Sequence, residues 1–213
     1  MIVIHHLGIS QSERIHWLCE ELGIPYELKI YDRDSVTRMA PAAYKALHPM
    51  GIAPVIDDGD LRLGESGAII EYIIHKYGDG RLAVPPSSPD YAQYLFWFHF
   101  ANATFMPAEM TGILALMLGA DLSGPMAPLL LDRDRRAFEL IEARLGEVPY
   151  LAGRDFTAAD LINFFPLTTM RAFVPKDLSA YPNIRAYLKR IGDRPAYRKA
   201  MELGDPNLPL NLE

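Results

Sequence analysis

Ser10 and Ser12 stand in a turn behind a first apolar run, and Glu65 and Ser66 stand where a later helix must open. A hydroxyl in such a place can donate a hydrogen bond to an anion. A helix N-terminus adds free N–H groups and the positive end of its dipole. The Glu65-Ser66 pair therefore suits a small ligand that carries a carboxylate. Pro54 sits where a strand begins, removing a backbone donor with no evident benefit to folding.

These residues need elements to position them, and the patterning supplies them. Val55 and Ile56 end in Asp58-Gly59, a dipeptide suited to a two-residue hairpin. Leu61 and Leu63 alternate with Arg62 as a half-buried strand does, and Ile69, Ile70, Ile73, Ile74 and Tyr77 then fall on one helical face. Nearer the start, residues 2–7 read as a buried strand. Ile15, Leu18, Cys19 and Leu22 repeat at helical spacing until Gly23 and Pro25 stop them. A second strand over 26–31 makes a βαβ unit with a parallel pair. A short helix over 42–47 leads into the hairpin. The order βαβαββα is that of a thioredoxin-like fold.

The chain has 213 residues, half of them hydrophobic, so a substantial core needs no staples. Its single cysteine excludes an internal disulfide framework, and no Cys/His cluster suggests a metal. A net charge of −6 argues against a nucleic-acid partner. No signal peptide or membrane span is evident, which predicts a cytoplasmic setting. Residues 79–90, rich in Gly and Pro, read as a linker between a first domain over 1–78 and an all-α domain over 91–213. Pro107 and Gly112 predict a break in the helix that follows the linker. Leu130, Leu140 and Ile141 mark a further apolar stripe. Thr157-Ala158-Ala159-Asp160 is a capping-box variant, and 205–209 reads as a tail.

The run His48-Pro49-x-Gly51-x-Ala53-Pro54 followed by Glu65-Ser66 resembles the glutathione-binding half of the glutathione S-transferases. The first turn is similar to the theta-like bacterial and fungal branch, with Ser10-Gln11-Ser12-Glu13-Arg14, Trp17-Leu18 and Glu20-Glu21-Leu22. The resemblance implies that Pro54 is cis, that the Ala53 backbone pairs with the cysteinyl part of glutathione, and that Glu65 and Ser66 hold its γ-glutamyl end. It implies an α+β thioredoxin-like domain, an all-helical partner domain, an electrophile cleft between them, and a homodimer. Residues 91–118 are expected to contribute to that dimer, given the density of Tyr91, Tyr94, Phe96, Trp97, Phe98 and Phe100. The expected activity is conjugation of the glutathione thiolate to small apolar electrophiles, a detoxification chemistry using glutathione as co-substrate and no metal. Peroxide or disulfide reduction, or a non-catalytic binding module of the same fold, are the alternatives.

Glutathione chemistry needs a thiolate, and a free thiol has a pKa of about 8.5. Lowering it by about two units takes roughly 2.7 kcal/mol. One hydrogen bond to the charged form supplies about 1.5–3 kcal/mol. Family members use a Tyr, Ser or Cys near the end of the first strand. No Tyr precedes Tyr26, and Cys19 lies a helix away. Ser10, four before Arg14 as in serine-type relatives, is the first candidate and Ser12 the second; Ser10-x-x-Glu13 also reads as a capping box. His5 and His6 face opposite sides of their strand, so at most one borders the site. Trp17, off the main apolar face of its helix, is expected to meet the other domain. Ile52 departs from the polar residue common two before the cis-Pro, which leaves Lys45 or His48 to face the glycyl carboxylate. Asn102 is placed to lend a polar group to the glutathione of a dimer partner.

Overall fold

β1 (Ile2–Leu7) is an inner strand of a four-stranded sheet whose order is β2-β1-β3-β4. It pairs parallel with β2 (Tyr26–Tyr31) and antiparallel with β3 (Val55–Asp58), and β3 pairs antiparallel with β4 (Leu61–Gly64). With α1 (Glu13–Leu22), α2 (Ala42–Lys45) and α3 (Ser66–Tyr77), this is the thioredoxin-like βαβαββα order expected from the patterning. The computed structural model describes residues 1–213 apart from Leu122, Val174 and the side chains of Leu129 and Leu130. The side chain of Leu130, expected on an apolar stripe, thus lies outside the described residues.

Residues Met1–Ala83 and Ile191–Leu210 form one compact unit, and Val84–Arg190 with Asn211–Glu213 form a second. The sequence reading put everything after 90 in the helical half. Instead α9 (Pro195–Gly204) packs on α1 within the first unit. The physical reason is a set of long-range partners that no local pattern encodes. Arg194 donates both guanidinium arms to Glu21 at 2.7 Å, and His16 Nε2 donates to the Ala200 carbonyl at 3.1 Å. Trp17, expected to face the other domain, is buried edge-on against Tyr197 of α9 at 5.0 Å.

The second unit is helical: α4 (Tyr91–Phe100), α5 (Met106–Met117), α6 (Ala127–Glu147), α7 (Ala158–Leu167) and α8 (Pro182–Gly192), which runs to its boundary. The expected break between residues 90 and 118 takes the form of a π-helical turn, Ala101–Phe105. Pro107 stands two residues past its end, and its missing N–H removes one bond of the regular ladder. Of the six aromatics in α4, Tyr94, Trp97, Phe98 and Phe100 are buried within this unit, while Phe96 stays 49% exposed. No described helix is long and apolar enough to cross a membrane.

α7 is buried along its whole length, and the capping box read from the sequence is formed at its start. Asp160 accepts from the N–H groups of Thr157 and Leu151, both at 2.8 Å, and from the Tyr187 hydroxyl at 3.0 Å. Burial pushes this carboxyl up to about 6, against the pull of those donors. Asp160→Ala strands the Leu151 N–H and the Tyr187 hydroxyl in the core. The variant should lose about 3–5 kcal/mol of stability, read from urea unfolding followed by circular dichroism.

Candidate functional site

The turn from β1 into α1 holds both candidate serines and is backbone-strained. Ile9 has φ 54°, an uncommon place for a β-branched residue. Two side chains from elsewhere hold it. Asp205, just past α9, accepts the Ile9 N–H at 3.0 Å through Oδ1. Arg33, just past β2, donates to the carbonyls of Gly8 at 2.7 Å and Ile9 at 3.0 Å. The residue read as the start of a tail thus helps to fix the turn.

Both candidate serines are buried in this turn and bonded to each other, Oγ to Oγ, at 2.7 Å. Ser10 Oγ also donates to the Leu7 carbonyl at 2.6 Å and accepts from the Ser12 N–H at 3.2 Å. Ser12 Oγ accepts from the Leu7 N–H at 3.1 Å and meets His6 Nδ1 at 2.9 Å. The helix begins at Glu13 with Ser12 in the cap position, yet the Ser12 hydroxyl does not cap it. Both hydroxyls point back at the strand end instead.

His5 and His6 leave β1 on different errands, as strand alternation requires. His5 bonds Tyr31 and Asp57, each at 3.0 Å, in the sheet. His6 is fully buried and joins Ser12 to Asp205, whose Oδ2 lies 3.1 Å from Nε2. Burial alone raises the Asp205 carboxyl, but the His6 and Ile9 hydrogen bonds bring it below the usual carboxylate range. His16 stacks edge-on to His6 at 4.7 Å, and burial, aided by His6, pushes it down to about 3, so it is neutral.

A second cluster ties this turn to the start of α3. The Arg14 guanidinium donates to Gln11 Oε1 and, at 3.1 Å, to Ser66 Oγ. Burial lowers the Arg14 guanidinium, with neighbouring Glu13 pulling it back up. Glu65, immediately before α3, is exposed and has φ 67°. The Ala53–Pro54 peptide is cis, as the resemblance implied. His48 is half-buried, its ring lying over Gly64 where an added Cβ would be 3.4 Å away. Lys45 is exposed on α2, and Ile52 is 52% exposed. Asn102 belongs to the π-helical turn of the second unit. Ser10 and Ser12 thus share a turn with Gln11, whose side chain meets Arg14 and, through it, Ser66. The sequence reading passed over His6, Gln11 and Asp205 in these links and used Arg14 only for its spacing.

The chain thus has a thioredoxin-like unit and a helical unit. Family models for the glutathione S-transferase N-terminal and C-terminal domains match residues 10–76 and 105–195. The chain is 36% identical to glutathione S-transferase 3 of Schizosaccharomyces pombe, over 97% of this chain and 89% of that one. A crystal structure of a glutathione S-transferase from Actinobacillus pleuropneumoniae superposes with a TM-score of 0.86 at 37% identity, covering 100% and 99% of the two chains. A sphingomonad glutathione S-transferase complexed with glutathione, 24% identical, shares the fold, with a TM-score of 0.74 and coverage of 95% and 98%. The chain belongs to the glutathione S-transferase superfamily and is an enzyme of the glutathione S-transferase type.

Gly204, the last residue of α9, shows how tightly Asp205 is seated. A Cβ there would stand 2.8 Å from His16 Nε2 and 3.0 Å from His6 Nε2. Gly to Ala in a helix ordinarily stabilises by roughly 0.5–1 kcal/mol. Here Gly204→Ala should reverse that sign and cost about 1–3 kcal/mol through overpacking, measured as a lowered denaturant midpoint.

Proposed function

We propose that the chain joins the glutathione thiolate to small apolar electrophiles, with Ser10 as the hydroxyl that meets the sulfur. The observation that carries this reading is the buried Ser10 turn, tied through Gln11 and Arg14 to Ser66 at the head of α3. The donor set fits glutathione. An exposed Glu65 carboxylate suits the ligand amine, and Ser66 with the α3 N-terminus suits the γ-glutamyl carboxylate. The Ala53 backbone, beside Pro54, pairs with the cysteinyl unit, and Lys45 or His48 faces the glycyl carboxylate in place of Ile52. In the reaction the thiolate lone pair forms the new S–C bond while the electrophile's leaving group, or its π electrons, takes the displaced pair. The same reading places the reaction in detoxification in the cytoplasm.

Calorimetric titration tests it directly, and no binding at millimolar glutathione sinks it. Glu65→Ala should weaken binding about tenfold or more, because the ligand amine loses a charged partner. Ser10→Ala should raise the pKa of the bound thiol by roughly one to two units while changing affinity far less. Thiolate absorbance of the binary complex against pH reads that shift.

A two-fold dimer is part of this reading, with Asn102 reaching the partner's ligand. Support comes from Phe96 and from Leu114, Met117 and Leu118 of the α5 end, 48%, 73% and 83% exposed. Light scattering at micromolar concentration should give twice the chain mass; a monomer mass counts against it.

A further inference from the structure

We propose that Ser10, Ser12, His6 and Asp205 form a proton path, in which His6 Nδ1 receives the proton that glutathione loses as its thiol ionises at Ser10. The proposal rests on the reading of Ser10 as the group the thiol meets. It adds what that reading leaves open, namely where the proton goes. His6 and Asp205 touch no substrate in this scheme and act through the serines, as positioning residues.

The hydrogen-bond directions follow from the inventory of donors and acceptors. Asp205 Oδ1 takes the Ile9 N–H and Oδ2 faces His6 Nε2 at 3.1 Å. An ionised carboxylate can only accept, so Nε2 carries the ring proton. When the ring carries that one proton, Nδ1 is an acceptor and Ser12 Oγ, 2.9 Å away, donates to it. Ser12 Oγ already accepts the Leu7 N–H, and Ser10 Oγ lies 2.7 Å from it on the other side. The Ser10 proton therefore has two acceptors, Ser12 Oγ and the Leu7 carbonyl at 2.6 Å. With that proton on Ser12, a lone pair of Ser10 Oγ is left for a thiol S–H.

The transfer then balances without any added reagent. The S–H bond breaks and its proton joins Ser10 Oγ, whose own proton passes to Ser12 Oγ. The Ser12 proton passes to His6 Nδ1. The products are a thiolate and an imidazolium paired with Asp205. After the shift each hydroxyl points the opposite way, so Ser10 now donates to the sulfur. The ring is faced by His16 from α1, neutral as described, and by Asp205; Arg33 lies behind the turn on the Gly8 and Ile9 carbonyls. Gly8 leaves room for the carboxylate, since a Cβ there would stand 3.2 Å from Asp205 Oδ1, and Gly204 leaves room for the His6 and His16 rings.

The test is proton counting on the full chain. Glutathione is titrated calorimetrically near neutral pH in buffers of different ionisation enthalpy, with thiolate absorbance followed in parallel. S-methylglutathione, which has no thiol proton, is the control. The unaltered chain should form thiolate while releasing almost no proton to the buffer. The His6 ring, followed by nitrogen NMR, should gain a proton at Nδ1 with glutathione and not with the control. His6→Gln, which cannot take a charge, should release about one proton for each thiolate formed. If that variant does not fold, Asp205→Asn keeps an acceptor for the Ile9 N–H but removes the carboxylate charge. It should move the thiolate midpoint up by about one pH unit or more, with S-methylglutathione affinity within about twofold of the parent. Release of a full proton by the unaltered chain, an unchanged His6 ring, or no thiolate at all overturns the path and leaves glutathione binding standing. Failure to bind glutathione at all instead overturns the Ser10 reading and the path with it.

Discussion

The Asp205 carboxylate is the constraint on which the turn between β1 and α1 depends. Its two oxygens hold two groups that nothing local would hold, the Ile9 N–H and the His6 ring. A non-glycine residue in the left-handed region costs of order 1–3 kcal/mol and persists only where its surroundings over-determine it. At Ile9 that over-determination is visible. Asp205 fixes its N–H, Arg33 fixes its carbonyl and that of Gly8, and Gly8 and Gly204 allow the close approach. With Ile9 so fixed, the next residue, Ser10, turns its hydroxyl inward to the strand end.

Each unit holds an aspartate that accepts backbone N–H donation, and the two carboxyls shift in opposite directions. Asp160 is enclosed among neutral donors only, so desolvation prevails and the carboxyl rises to about 6. Asp205 keeps an edge toward solvent, its side chain 9% exposed, and faces a histidine that can carry charge. There the hydrogen bonds and the imidazole prevail, and the carboxyl falls. The first carboxylate holds a helix start together. The second holds a strained loop, and being reliably ionised it fixes the tautomer of the ring beside it.

What was legible in the sequence was whatever is coded within one turn or one strand. The hairpin at Asp58-Gly59, the α7 capping box, the helical stripe of α3 and the family pattern around Pro54 and Glu65-Ser66 all rest on spacings of a few residues. The two serines were singled out for the same reason. The links between them and the rest of the protein were not legible, because they span large separations: 52 residues from Arg14 to Ser66, and 199 from His6 to Asp205. A Gly-Asp-Pro run after an amphipathic helix carries every mark of a chain leaving the fold, and only its contacts reveal otherwise. Trp17 does meet a residue beyond position 90, Tyr197, but on a helix that belongs to its own unit.

That separation has a consequence for how the molecule comes into being. A ribosome makes the strands, the hairpin and the serine turn early, and by residue 190 it has made nearly all of the helical unit as well. The nascent protein at that point has a complete sheet but no anion to steady Ile9 or to orient His6. The serine turn is therefore completed only once α9 has emerged and folded back onto α1.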